Sequence, residues 1–176
     1  MDPQHGSGER LADGTVVRVR PIRPDDESRM ADFHAGLSTR SVYHRYFHLA
    51  TLEQRTAQAR LALTCRTDPA SGLALVAEHT GADGGLEVLA LARLTRTGPD
   101  GTAEFALLVM DQWQGLGLGR LMMQHLIEAA RGIGVRQLFG DMLADNDAMR
   151  AVVRRAGFRV RTVPGDAVVL RAERAV

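Results

Sequence analysis

The sequence predicts an α+β fold: one mixed, mainly antiparallel sheet with helices packed on its faces. Three observations point there. Strand-like runs at 73–79, 86–95 and 103–110 follow one another through the short loops "GADGG" (81–85) and "TGPDG" (97–101), the pattern of a hairpin meander and not of a βαβ series. Apolar residues at helical spacing flank this meander, most clearly Leu118, Leu121, Met122, Leu126 and Ala129 within 117–131. With 176 residues, the chain has the length of one domain with a proper core.

Taken in order, residues 1–13 read as a flexible leader, without the basic flank and apolar stretch of a signal peptide, and 14–176 as a single domain. "GTVVRVRPI" (14–22) carries Val16, Val17 and Val19 in a period-two run and ends at proline, so it is a first strand. "PDDESRMADFHAGL" follows as a helix, with Asp25 as N-cap and Met30, Phe33 and Leu37 on one face. "STRSVYHRYF" (38–47) starts on a new Ser cap as a second short helix, and "TLEQRTAQARLALTC" (51–65) reads as a third. Beyond the meander and the helix at 117–131, "VRQLFGDML" (135–143) is a strand and "NDAMRAVVRRAG" (146–157) a helix closed by Gly157. "FRVRTV" and "AVVLRA" form a last hairpin.

Composition removes several function classes. The hydrophobic fraction of 45% and charged fraction of 24% are ordinary for a globular protein, and no apolar run is long enough to span a membrane. A net charge of +1 gives no electrostatic case for nucleic acid. All 22 basic residues are arginine, so no side-chain ammonium is available for modification or Schiff-base chemistry. A single cysteine, Cys65, excludes an internal disulfide; it reads as a small buried hydrophobe, and the cytoplasm is the expected compartment. His34, His44 and His48 lack metal-ligand spacing and His125 falls within an amphipathic helix, so no metal is expected. Oligomeric state is left open.

"QWQGLGLGR" (112–120) places Gly115, Gly117 and Gly119 at alternate positions just before a helix, where glycine is unfavourable unless a bare backbone is needed. A turn of this kind at a helix N-terminus presents unpaired N–H groups to an anion, and phosphate is the usual guest. A Walker-type loop requires Gly-Lys-Ser/Thr, and the chain has Gly119-Arg120-Leu121. A dinucleotide-binding turn requires a third glycine where Arg120 stands, and it opens a parallel sheet, although Asp141 falls where its acidic residue is sought. A ligand-free strand-to-helix turn is the remaining alternative.

The segment Gln114-Gly115-Leu116-Gly117-Leu118-Gly119 fits the pattern Q/R-x-x-G-x-G/A, and here the chain resembles the GCN5-related N-acetyltransferases, the GNAT superfamily. "RRAGF" (154–158) matches the usual end of that family's next helix. The resemblance implies that backbone amides from Gln114 to Arg120 hold the pyrophosphate of acetyl-CoA. It also implies that "FALLVM", as the family's fourth strand, splays from "QLFGDML", its fifth. Pantetheine then borrows main-chain bonds from Leu107, Leu108 and Val109, and Asn146 contacts the same co-substrate. Arg154 or Arg155 is placed to meet its 3′-phosphate. "RPIRPDDE", "STRSVYHRYF" and "AEFALLV" resemble more closely the acetyltransferase domain of bacterial Pat-type protein lysine acetyltransferases, which modify AMP-forming acyl-CoA synthetases.

Transfer to an amine requires a proton acceptor, because an ammonium cannot attack a thioester. Glu104, in "AEFALLV", matches the glutamate that Pat-type enzymes use as base. A main-chain N–H at Val109 or a neighbour is the expected oxyanion donor. The tyrosine with which many GNATs protonate the leaving thiolate falls by spacing on Val153, a departure from the family pattern. Arg40, Tyr43, Arg45 and Tyr46 lie where the family binds its acceptor; this stretch holds arginine and tyrosine and no acid, which favours a protein acceptor over a small polyamine. Phe47 reads as a core residue. A small-molecule amine acetyltransferase and a non-catalytic CoA-binding sensor module are the alternatives.

Overall fold

The computed structural model describes residues 8–176; residues 1–7 of the expected leader lie outside the described residues. Strands β1 (Glu9–Arg10), β2 (Val16–Pro21), β3 (Gly72–Thr80), β4 (Leu86–Arg96), β5 (Thr102–Val109), β6 (Gln137–Leu143), β7 (Arg159–Val163) and β8 (Asp166–Ala175) form an 8-stranded sheet in the order β1-β2-β3-β4-β5-β6-β8-β7. Every pairing is antiparallel except β5 with β6, so the mixed, mainly antiparallel sheet is as expected. Helices α1 (Glu27–Ala35), α2 (Thr39–Tyr46), α3 (Leu52–Thr56) and α4 (Gln58–Cys65) supply one core with Met30, Phe33, Val42, Leu61 and Cys65. Helices α5 (Leu118–Gly132) and α6 (Asp147–Arg155) supply another with Leu118, Met122, Leu126 and Val153. Alternation along β5 feeds both: Phe105 and Leu107 enter the α5–α6 core and Leu108 the core of α1–α4.

Several expectations are corrected. Residues 8–13 of the expected leader are ordered into the fold: β1 pairs with β2, Leu11 is buried, and the Ala12 N–H donates to Leu116 O at 3.1 Å, tying this segment to the glycine turn. The helix expected over 51–65 is two, because Thr51 and Gln54 close a reciprocal capping box and Ala57 is extended (ψ 130°), which re-aims α4. Asp25 is not the cap of α1. A 3-10 turn (Pro24–Asp26) precedes the helix, and buried Asp26 occupies the cap position with its carboxylate turned to Arg20, Arg29 and the Arg23 N–H. Arg20 also bonds Glu78 at 2.6 Å, so one buried guanidinium joins β2, β3 and the approach to α1. Burial alone would raise the Asp26 carboxyl, but the bonds from Arg20 and the Arg23 N–H outweigh it and hold the group below the usual carboxylate range.

Candidate active site

The parallel ladder between β5 and β6 is short. It pairs Thr102 with Gln137, Ala103 with Leu138 and Glu104 with Phe139, and then ends. The Phe105 ring fills the vertex: a Cβ on Gly140 of β6 would stand 2.6 Å from it, so the bare backbone at Gly140 is what admits the ring. Phe158 packs edge-on against Phe105 with centroids 5.1 Å apart. Beyond the vertex the strands part, and β5 keeps only β4 as partner, with Ala90 opposite Val109 at its end. The Met110 N–H donates to Leu89 O on β4. Alternation then turns the amides of Leu108 and Ala106 to β4 as well; that of Phe105 faces β6, where it closes the last parallel bridge, and those of Leu107 and Val109 face the gap.

The gap opens into a cleft of about 740 Å³. At its far end the chain turns through Gly115 (φ 76°) and Gly117 (φ 91°), both left-handed, and enters α5 with Gly117 as N-cap. The N–H groups of residues 115–120 take no acceptor among the described residues, and a Cβ on Gly115 or Gly117 would meet open space. Two glycines are thus required by backbone conformation. Gly119 has a different reason: its Cβ would meet Val152 of α6 at 3.2 Å, so it sets the approach of the two helices. A left-handed turn with free amides at the N-terminus of a 15-residue helix fits a pyrophosphate.

Helix α2 forms the opposite wall. Its cap residue Ser38 accepts from the Ser41 N–H, and Asp111, just past β5, accepts from the Ser38 N–H (2.9 Å) and from the hydroxyls of Ser38 (2.6 Å) and Ser41 (2.8 Å). Gln114 Nε2 donates to Ser41 Oγ (3.2 Å) and Val109 O (3.0 Å). This clasp holds α2 against the exit of β5. Partial burial would raise the Asp111 carboxyl, but the serine bonds outweigh it and lower it.

The structure brings most of the sequence candidates together. Glu104, exposed at the vertex, lines the cleft with Leu107, Leu108, Val109, Gln114, Gly115, Gly117, Gly119, Arg120, Asn146, Arg40, Arg45 and Tyr46. It separates others. Tyr43 is exposed away from the cleft, Leu118 is fully buried in the α5–α6 core, and Leu116 packs beside that core. Leu108 reaches the cleft by its side chain while its amide serves β4. Asn146 spends Oδ1 on the Met149 N–H as the cap of α6, which leaves its Nδ2 as the group free to donate. Val153 points into the core, and the α6 residues on the cleft are Asp147, Ala148, Met149, Ala151, Val152 and Arg155, none with a hydroxyl. Arg155 lines the cleft and Arg154 does not.

Sequence reasoning missed Ser41, His44, Phe105, Asp111 and Asp141 as wall residues, and it placed Phe47 in the core, whereas Phe47 is exposed on the wall with φ 62°. The Ser-x-x-Ser start of α2 was the available signal for the clasp; nothing local pairs it with Asp111. Asp141 binds Arg171 through both oxygens. Among the described residues no group of three His, Cys, Asp or Glu side chains is disposed to hold a metal. Cys65 is buried, and burial pushes its thiol up to about 11, as befits a packing residue.

Comparison with known proteins agrees with this geometry. A family model described as an acetyltransferase (GNAT) domain matches residues 17–159. Acetyltransferase PA5475 of Pseudomonas aeruginosa is 33% identical over 159 residues, which cover 90% of this chain and 83% of that protein. Acetyltransferase Pat of Mycolicibacterium smegmatis is 33% identical over 145 residues, 82% of this chain but 41% of its own length, so the chain spans less than half of that relative. The crystal structure of the GNAT domain of S. lividans PAT matches with a TM-score of 0.84 at 29% identity, covering 97% of this chain and 96% of that one. PaiA N-acetyltransferase of Thermoplasma acidophilum, solved in complex with coenzyme A, shares the fold with a TM-score of 0.69 at 13% identity over 91% of this chain and 99% of that one. A sheet that parts beside a glycine turn, a matching model over most of the chain and a relative of similar length lead to one conclusion: this chain belongs to the GNAT acetyltransferase family.

Proposed function

We propose that the protein is an acetyl-CoA-dependent N-acetyltransferase that acetylates a lysine side chain of a protein, an AMP-forming acyl-CoA synthetase being the leading acceptor, with Glu104 as general base. The observation that carries this reading is the place of Glu104. It is the last β5 residue paired to β6, and it stands exposed at the vertex on the side of α2. There the carboxylate takes the proton of an incoming ammonium, directly or through one water, and the free amine attacks the acetyl carbon. The Leu107 and Val109 N–H groups, aimed into the gap, donate to the carbonyl oxygen as it gains charge. The amides of residues 115–120 and the dipole of α5 hold the pyrophosphate; as the C–S bond breaks, coenzyme A leaves as the thiolate, which takes up the second proton that the nitrogen sheds in becoming an amide.

A protein acceptor is supported by the resemblance to Pat-type enzymes and by the surface next to α2. Tyr43, Phe47, Leu49 and Leu52 are exposed within ten residues of chain, an apolar, aromatic rim suited to another protein.

The test is to incubate the protein with labelled acetyl-CoA, an acyl-CoA synthetase and a polyamine, and to locate the label by mass spectrometry. Label on a synthetase lysine is expected. Label on the polyamine alone would favour the small-molecule reading, and binding without turnover the sensor module. Glu104→Gln is expected to keep acetyl-CoA affinity and lose about 10²–10⁴-fold in rate; unchanged turnover at saturating substrate would remove Glu104 from the mechanism.

A further inference from the structure

Several arginines that this fold buries or half-buries have an oxygen partner: Arg20 pairs with Asp26 and Glu78, Arg29 with Asp26, Arg150 with Asp147 and Arg171 with Asp141, while Arg55, Arg96 and Arg174 donate to backbone carbonyls. Half-buried Arg45 and Arg93 and exposed Arg60 have neither kind of bond among the described residues. Arg45 of α2 and Arg60 of α4 each lie 5.1 Å from the centre of the Tyr46 ring. Arg93 of β4 stands opposite Ala106, one same-face position along from Glu104, with its Nε buried and unpartnered. Among the described residues none of the three has a carboxylate within ion-pair distance. The Tyr46 ring attracts guanidinium groups but does not neutralise them. Arg45 lines the cleft beside Tyr46 and Glu104.

The place of the cluster along β5 selects its role. Ala106 lies three residues before Val109, where the strand ends, so Arg93 is about 10 Å of strand away from the approach to the glycine turn. The cluster therefore lies towards the reacting end and not the pyrophosphate end; Arg45 lines the cleft there, and Arg60 and Arg93, which do not line it, add their charge to that of Arg45. We infer that Arg45, Arg60 and Arg93 form a carboxylate subsite at the reacting end, which takes a carboxylate next to the amine of the acceptor or at the end of the transferred acyl chain. This rests on the acetyltransferase reading and adds the charge of the substrate to it. Burial first lowers the proton affinity of Arg45 and Arg93; the neighbouring guanidiniums add to this, and the attraction of Tyr46 and, for Arg45, of Glu104 does not offset it.

Binding probes test this without needing turnover. For the acceptor, CoA is joined through an acetyl bridge to the lysine of Asp-Lys-Asp or Asn-Lys-Asn; for the acyl chain, succinyl-CoA is compared with butyryl-CoA. CoA alone is titrated beside them by calorimetry. The charged member of one pair is expected to bind at least about tenfold tighter, the ratio conferred by one charge-assisted contact. Arg93→Gln is expected to abolish that preference while CoA affinity holds within about twofold. Arg60→Gln, exposed on α4, is expected to reduce it and is the second variant should Arg93→Gln fail to fold. The pair that discriminates identifies the source of the carboxylate. Equal binding within both pairs, or a preference that survives the substitutions, overturns the subsite; absence of CoA binding overturns the acetyltransferase reading itself.

Discussion

At the scale of single residues, the three alternate glycines are not equivalent. Gly115 and Gly117 are left-handed, where an L side chain costs about 1–2 kcal/mol, and the free protein can relieve that strain by moving the turn. Binding then has to restore it. Gly117→Ala is accordingly expected to weaken acetyl-CoA by roughly tenfold, read by calorimetry. Gly119→Ala acts through Val152 at 3.2 Å and is expected to lower thermal stability more than affinity. Asp26 shows the same distinction between type and place. Asp26→Ala leaves the Arg20 guanidinium with Glu78 alone in a buried site and is expected to cost about 3–5 kcal/mol in denaturant unfolding.

At the scale of elements, the decisive feature is the union of α2 with the exit of β5. Helix α2 carries Arg40, Arg45 and Tyr46 to the cleft, and Asp111 with Gln114 holds it there. Asp111→Ala removes the acceptor for three bonds and is expected to cost about 1–3 kcal/mol. The selective readout is amide exchange, which should rise in α2 and not in α5. Equal change in both helices would mean that the clasp carries nothing specific. This contact was not legible in the sequence, because Ser38 and Asp111 are 73 positions apart and no local pattern records a pairing at that distance.

At the scale of the whole molecule, a buried histidine couples the fold to pH. His34 sits in the core of α1–α4 with Nδ1 unpartnered, and burial first, then Arg55 and other arginines, lower it from 6.5 to about 4. The unfolded chain therefore binds a proton that the folded one rejects between those values. Stability should fall as pH drops from about 6.5 towards 4, by about 3 kcal/mol from this group, and level off below it. His34→Leu is expected to flatten that slope, measured as urea midpoints at pH 6.5 and pH 4.5. Asp26 acts on a lower window: its folded carboxyl is depressed, so its contribution is complete above the ordinary value of 3.8 and is lost only as pH falls below it.

The sequence by itself determined the elements and their order. The meander at 73–110, the α5 register and the final hairpin are set by spacing and turn residues that act within a few positions, and these are local quantities that a linear reading captures. That Gln114, Gly115, Gly117, Gly119 and Arg120 lie on one cleft was legible in the glycine pattern, and that Glu104 and Asn146 join them was legible in the family resemblance, whereas Leu116 and Leu118 of the same run turn away from it. Tertiary structure decided the rest. It turned Val153 and Leu118 into the core and left Phe47 and Met149 on the cleft, because helix facing depends on what the helix meets. It folded residues 8–13 back to brace the glycine turn through a bond to Leu116. It also gathered Arg45 and Arg60 from α2 and α4 over one tyrosine and set Arg93 of β4 opposite Ala106, a convergence that exists only once the α1–α4 layer has packed on the sheet.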